Sequence, residues 1–275
     1  LSKHPVISPA EAELAYAAAQ CVVKTHRRLV EFIKPGVTLP QVDALVARTL
    51  EELGCHSAFL GYQVPDLPRF PSHACLSVNQ CVVHGTAGYY PDALKHGDIL
   101  KVDVGVFHRG WVGDAGWTYA VGGYPSEAAK RLMQVGKASL TRGIKQLRPG
   151  NTYGAWAHEV QTCVEREAGL HLIRGLGGHG YGKRLHEPPY ISNVESTPFA
   201  PWREGAWPCE PGTLLAVEPM LAAGTTGATW QAKRKWPVFS KDGALTAHYE
   251  HDVLITKDGP RVLTEGMDDL PDVVG

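Results

Sequence analysis

No apolar run in the 275 residues approaches the ~20 that a membrane-spanning helix needs, so no spanning segment is expected. The first twenty residues, LSKHPVISPAEAELAYAAAQ, lack the continuous apolar stretch of a secretory signal. Neither sign of charge is in excess: Lys+Arg 27 against Asp+Glu 28 leaves a net charge of -1. No global field therefore draws the chain to nucleic acid or to a membrane surface. The single local basic run, Ala232-Lys233-Arg234-Lys235-Trp236, reads as a solvated loop. There is no CxxC pair. The six cysteines (Cys21, Cys55, Cys75, Cys81, Cys163, Cys209) are scattered, which argues against a disulfide framework and fits a reducing cytoplasm. No linker or low-complexity stretch divides the chain, so 1–275 is expected to form one domain. The remainder, 44% hydrophobic and 20% charged, is an ordinary globular composition.

Ser8-Pro9-Ala10-Glu11 is a capping box with proline in the first turn, opening a helix that Lys34-Pro35-Gly36 stops. Thr38-Leu39-Pro40-Gln41 opens a second helix, ended by Gly54. The same grammar returns with a helix from Pro125-Ser126, a stop at Arg148-Pro149-Gly150 and a helix over 152–169. The two Pro-Gly stops lie 114 positions apart, and Thr38 then falls on Thr152. Helix–Pro-Gly–helix units are common. An internal duplication into halves 1–121 and 122–275, related by a pseudo-two-fold, is nevertheless the preferred reading. Strand patterns follow each helix pair, at 74–83, 98–107 and 111–121, then at 212–221 and 246–256. The expected fold class is α+β, with a largely antiparallel sheet and the helices on one face.

Acids interrupt these strands. Along 98–107, Leu100, Val102, Val104 and Val106 alternate onto one face, and Asp103 points to the other. A turn centred between His108 and Arg109 would place Asp103 directly opposite Asp114. Two such carboxylates can share a proton, bind a cation, or simply face solvent on an edge hairpin. Further ligand-type residues occur in equally odd places. His179 sits among four glycines in Leu176–Gly182, Glu218 breaks the apolar GTLLAVEPM, and Glu250 lies within TAHYEHDVLIT. Four acids and one imidazole are the inventory of two adjacent divalent ions, not of a structural zinc. Such a pair suits hydrolysis. His84 and His186 are then candidates to hold substrate and stabilise an oxyanion.

The motifs KPGVT, FLGY, SVNQCVVHG, GDILKVDVGV, GDAGWT, GGHGYGKRLHEPP, AVEPM and YEHDVLIT together resemble the type I methionine aminopeptidases, of pita-bread fold, over nearly the whole chain. The resemblance implies metal ligands Asp103, Asp114, His179, Glu218 and Glu250, with Asp114 and Glu250 bridging two divalent ions (Co, Mn, Fe or Zn). It implies that Glu218 also handles the proton of the attacking water, and that His84 and His186 contact substrate. Tyr62, Phe70, Cys75 and Trp236 would line the methionine pocket. The stretch 63–69 is longer than is usual in the family, Gly105 stands where many members have threonine, and Leu185 where many have phenylalanine. His179 and Glu218 are too close in sequence for the helical insert of the type II branch, and no added N-terminal domain of the proline-specific relatives is expected. The implied activity is removal of initiator methionine from nascent polypeptides when the second residue is small. A contact with the ribosome fits such an enzyme, and a monomer is expected. Under that rule Met-Leu would be retained, so a chain starting at Leu1 reads as trimmed. An Xaa-Pro peptidase of the same fold and an inactive binding protein are the alternatives.

Overall fold

The computed structural model describes residues 6–230 and 235–275, so Ala232, Lys233 and Arg234 of the basic run lie outside the described residues. Four α-helices form where the caps predict: α1 (Pro9–Phe32), α2 (Leu39–Glu52), α3 (Glu127–Ile144) and α4 (Tyr153–Gln161). The α1 capping box is complete, with Ser8 N donating to Glu11 Oε2 (2.9 Å) and Glu11 N to Ser8 Oγ (3.3 Å). The last expected helix, 152–169, changes winding instead of running straight: residues Thr162–Glu167 form a π-helical segment.

The strands are antiparallel except for the pairing of Val273–Val274 with Trp111–Val121. They divide among four sheets, where the sequence suggested one. The first is built on a long hairpin, Ile99–His108 and Trp111–Val121. The second five-stranded sheet includes Gly177–Gly180, Leu214–Val217 and His251–Thr256. Helix α1 lies across the back of the hairpin, where Val104, Val106 and Ala115 are fully buried. It comes so close that a Cβ on Gly113 would sit 2.5 Å from the Ala18 carbonyl carbon. Helix α3 backs the short strands Met220–Ala222 and Thr246–His248. Helices thus cover one side and leave the acid-bearing side for a cleft.

The hairpin register differs from the expectation. Its turn is the two-residue Arg109-Gly110, both with positive φ (51° and 82°), so His108 pairs with Trp111. Such a turn matches the right-handed twist of the strands, which a turn one residue earlier would not. Asp103 therefore faces Gly116 and Asp114 faces Gly105. The two acids share a face as diagonal neighbours, and each has a glycine directly across from it.

Three expected strands are broken. The stretch 74–83 divides at Asn79, φ 51°, and its halves join different sheets. Lys101 Nζ donates to the Asn79 carbonyl at 2.6 Å and fixes that corner. The stretch 212–221 breaks at Glu218-Pro219, and 246–256 at Tyr249-Glu250. Glu218 and Glu250 therefore sit in interruptions between strands, where the ladder does not dictate side-chain direction. His179, expected in a loop, is paired on both sides, with Tyr190 and with Ala216. Its glycine neighbours make that possible, since a Cβ on Gly178 would lie 2.2 Å from the Ala216 carbonyl oxygen.

Candidate active site

A cavity of about 320 Å³ opens on the acid-bearing side, and all eleven residues singled out in the sequence line it. Asp103 and Asp114 come from the hairpin, and His179 from its glycine-rich strand. Glu218 and Glu250 come from the two strand breaks. Tyr62, Phe70, Cys75, His84, His186 and Trp236 close the other end.

The carboxyl groups are crowded and poorly compensated. Asp103 and Asp114 lie within hydrogen-bond reach of each other. Burial, with the neighbouring acids, raises Asp103 to about 7 against the charge of His248, and holds Asp114 and Glu250 well above the usual carboxylate range. Glu218 is raised by burial and lowered by its bond to His248. Asp103 Oδ1 and Asp114 Oδ1 are buried with no hydrogen-bond partner. Burial and the adjacent His186 lower His179 to about 3, so its ring is neutral. Its Nδ1 lies 3.0 Å from the Gly180 carbonyl, which can only accept, so Nδ1 carries the proton. Nε2 then presents a lone pair 3.8 Å from Asp114 Oδ2. Orphaned carboxylate oxygens and an imidazole held in the coordinating tautomer fit divalent cations.

The donors fall into two overlapping groups, each with ligand atoms within 4.8 Å of one another: Asp114, His179 and Glu250, and Glu218, His248 and Glu250. Glu250 belongs to both, as a residue between two adjacent positions must. His248 was missed in the sequence. It is fully buried, and its Nε2 lies 3.0 Å from Glu218 Oε2 and 3.9 Å from Glu250 Oε2. Its spacing of two from Glu250 was the available signal. Asp252, two further on, was also missed; its Oδ2 accepts from the Asp114 backbone N–H at 2.8 Å and anchors the hairpin.

At the far end, Phe70 packs edge-on against Trp236 with ring centroids 5.2 Å apart. Val64, within the long 63–69 stretch, lines the cavity beside Phe70. Phe70 N donates to the Tyr62 carbonyl and Gly61 N to the Phe70 carbonyl, both at 2.8 Å, and Trp236 Nε1 ties down the Pro68 carbonyl at 2.8 Å. Phe59, Val64, Val83 and Leu185 complete the lining; of these only Leu185 was singled out in the sequence, as a departure from the family's phenylalanine. Phe59 fills the space over Gly105, where a Cβ would fall 2.4 Å from its Cε1. His186 Nδ1 is 2.6 Å from the Tyr62 hydroxyl, and its ring centroid is 4.2 Å from that of His179. His84 adopts a left-handed backbone, φ 58°, and burial lowers it to about 4, with His186 and His248 adding to the effect.

The family model for metallopeptidase family M24 matches residues 13–257. Methionine aminopeptidase 1 of Bacillus subtilis (strain 168) is 35% identical over 257 residues, covering 94% of this chain and 97% of the relative. Among solved structures, a methionine aminopeptidase from Rickettsia prowazekii superposes with a TM-score of 0.87 at 29% identity, over 95% of this chain and 99% of that one. One from Thermotoga maritima gives 0.85 at 35% identity, over 95% and 99%. The chain belongs to metallopeptidase family M24 and, within it, to the methionine aminopeptidases.

Proposed function

We propose that the chain is a metal-dependent aminopeptidase that removes the N-terminal methionine of nascent polypeptides when the second residue is small. The observation that carries this is the cavity itself. A crowded carboxylate–imidazole centre adjoins an apolar end walled by Phe59, Phe70, Cys75 and Trp236. Aromatic rings and a soft thiol suit a polarizable thioether. The relatives matched over nearly their full length carry that activity in their names.

Asp103, Asp114, His179, Glu218 and Glu250 would hold two divalent ions, Co, Mn, Fe or Zn. Such ions, when bound, polarise the scissile carbonyl and acidify the attacking water. Glu218 takes the proton of that water and returns it to the leaving amine. His248, bonded to Glu218 Oε2, holds the carboxylate in place for both transfers. Burial keeps His84 and His186 neutral, so they act as hydrogen-bonding groups toward the substrate. With the Tyr62 hydroxyl donating to Nδ1, His186 offers its Nε2–H to the developing oxyanion. The entire chain, 1–275, would act as one catalytic domain, because each proposed half contributes donors: Asp103 and Asp114 from 1–121, and His179, Glu218 and Glu250 from 122–275. No described helix is long and apolar enough to cross a membrane. A cytoplasmic location, at or near the ribosome, follows from the nascent-chain substrate.

The test is release of free methionine from Met-Ala-Ser and Met-Leu-Ser by chelator-stripped protein, titrated with one divalent metal at a time. Metal-restored release from Met-Ala-Ser alone is expected. Glu218→Gln should lower kcat by roughly 100-fold or more with the fold intact. Full activity in that variant, or no release with any metal, would overturn the reading.

A further inference from the structure

At the turn of the long hairpin, on its α1 side, three soft donors meet. Cys21 lies in the middle of α1, Cys55 follows the glycine that ends α2, and His108 is the last residue before the Arg109-Gly110 turn. Cys21 Sγ, Cys55 Sγ and an imidazole nitrogen of His108 all lie within 4.8 Å of one another. Cys55 Sγ and His108 Nδ1 are 3.4 Å apart. Both thiols are buried, and His108 is half-exposed. We infer that Cys21, Cys55 and His108 form a second metal site, one that takes a soft, thiolate-preferring ion such as Zn²⁺ and staples α1, α2 and the hairpin turn together.

The geometry suits such an ion. Zn–S bonds of about 2.3 Å and Zn–N bonds of about 2.0 Å at tetrahedral angles put sulfur about 3.8 Å from sulfur and about 3.5 Å from nitrogen. The cluster already has that size, so binding needs loss of the thiol protons but little movement of the backbone. The donor set is unlike that of the catalytic cavity, which is rich in carboxylate, so the two sites select different metals. Charge also favours it. Cys21 and Cys55 share a hydrogen bond that lowers the Cys21 thiol, with Lys24 and Arg109 adding to the effect, and raises the Cys55 thiol, so the second proton leaves only as an ion takes its place. Two thiolates and a neutral imidazole would bring a divalent ion to zero net charge. The fourth position has an approach, since an open cleft lined by Leu50, Gly54, His56 and His73 reaches Cys55. His108 is three strand residues from Gly105, the partner of Asp114, roughly 10 Å along the hairpin, and alternation puts it on the α1 face, so the site is separate from the catalytic centre. The inference does not depend on the proposed function.

Cobalt titration of the reduced, chelator-stripped protein tests it, because a thiolate-to-cobalt charge-transfer band reports sulfur ligation and a carboxylate–histidine centre gives none. A band that saturates at one equivalent and is displaced by Zn²⁺ is expected. It should be lost in Cys21→Ser and in Cys55→Ser, but kept in Cys75→Ser, which removes the one thiol of the catalytic cavity. His108→Gln, at a half-exposed position, should weaken Zn²⁺ retention even if a cysteine variant fails to fold. No band under conditions that restore methionine release would overturn the proposal. So would a band that survives Cys21→Ser, or a wild-type mass two hydrogens lower than reduced, which would mark a Cys21–Cys55 disulfide.

Discussion

Single atoms decide much of this site. Glu218 Oε2 has one named protein partner, His248 Nε2; His248 is fully buried, and the Glu218 side chain is 13% exposed. His248→Ala leaves the carboxylate unsupported in a crowd of acids. The expected result is a loss of about 10- to 100-fold in metal affinity or kcat, seen as a rightward shift or lower plateau in metal titrations of methionine release. Unchanged titrations would remove His248 from the machinery. A comparable argument concerns Gly105. Its missing side chain is replaced by the ring of Phe59, so Gly105→Thr forces that ring into the methionine end of the cavity. KM for Met-Ala-Ser should rise several-fold, with a stability loss of about 1–3 kcal/mol by calorimetry. Adding Phe59→Ala should recover part of both, and strict additivity of the two changes would refute the coupling.

The element on which most of the site rests is the long hairpin. Its alternation and length were readable, and its acids were visible as odd residues in apolar strands. Its register was not, because that depends on which two residues take positive φ, and Arg109-Gly110 was one choice among neighbours. Moving the turn centre by one residue shifts every cross-strand pair by two positions, so both acids stay on one face. The back of the hairpin fixes its position against α1 through Gly113. Gly113→Ala drives a methyl into the Ala18 backbone. A loss of about 2 kcal/mol is expected, lowering the unfolding midpoint by roughly 4–8 °C. A midpoint within a degree of wild type would show that α1 can back away freely.

Over the whole molecule, a buried histidine couples stability to pH. His26 in α1 is fully enclosed, with Nδ1 2.8 Å from the Tyr119 hydroxyl, and burial lowers it to about 4 despite the Ala115 carbonyl. In the unfolded chain it titrates near ~6.5. Between those values the unfolded state binds more protons than the folded one. Stability therefore falls as pH drops from about 6.5 to 4, by on the order of 3 kcal/mol, and this contribution is flat above that window. His26→Gln should flatten that part of the curve in denaturant titrations across the same range. An identical slope would assign the dependence to other groups.

The sequence by itself determined the four helices and where each starts, the α+β class, the long hairpin and the list of donors. Those depend on signals within a few residues: capping boxes, Pro-Gly stops, strand alternation, and acids where apolar residues belong. Tertiary structure decided what contacts between residues distant in sequence control. Glu218 and Glu250 were legible as residues but not as breaks between strands, because the breaks follow from which sheet each flanking strand joins. His248 looked like any buried strand histidine until Glu218, thirty positions away, was placed on its Nε2. Phe59 over Gly105, and Cys21 and Cys55 beside His108, carry no local pattern at all. Periodicity can specify a face, but only packing in three dimensions can specify which side chains share it.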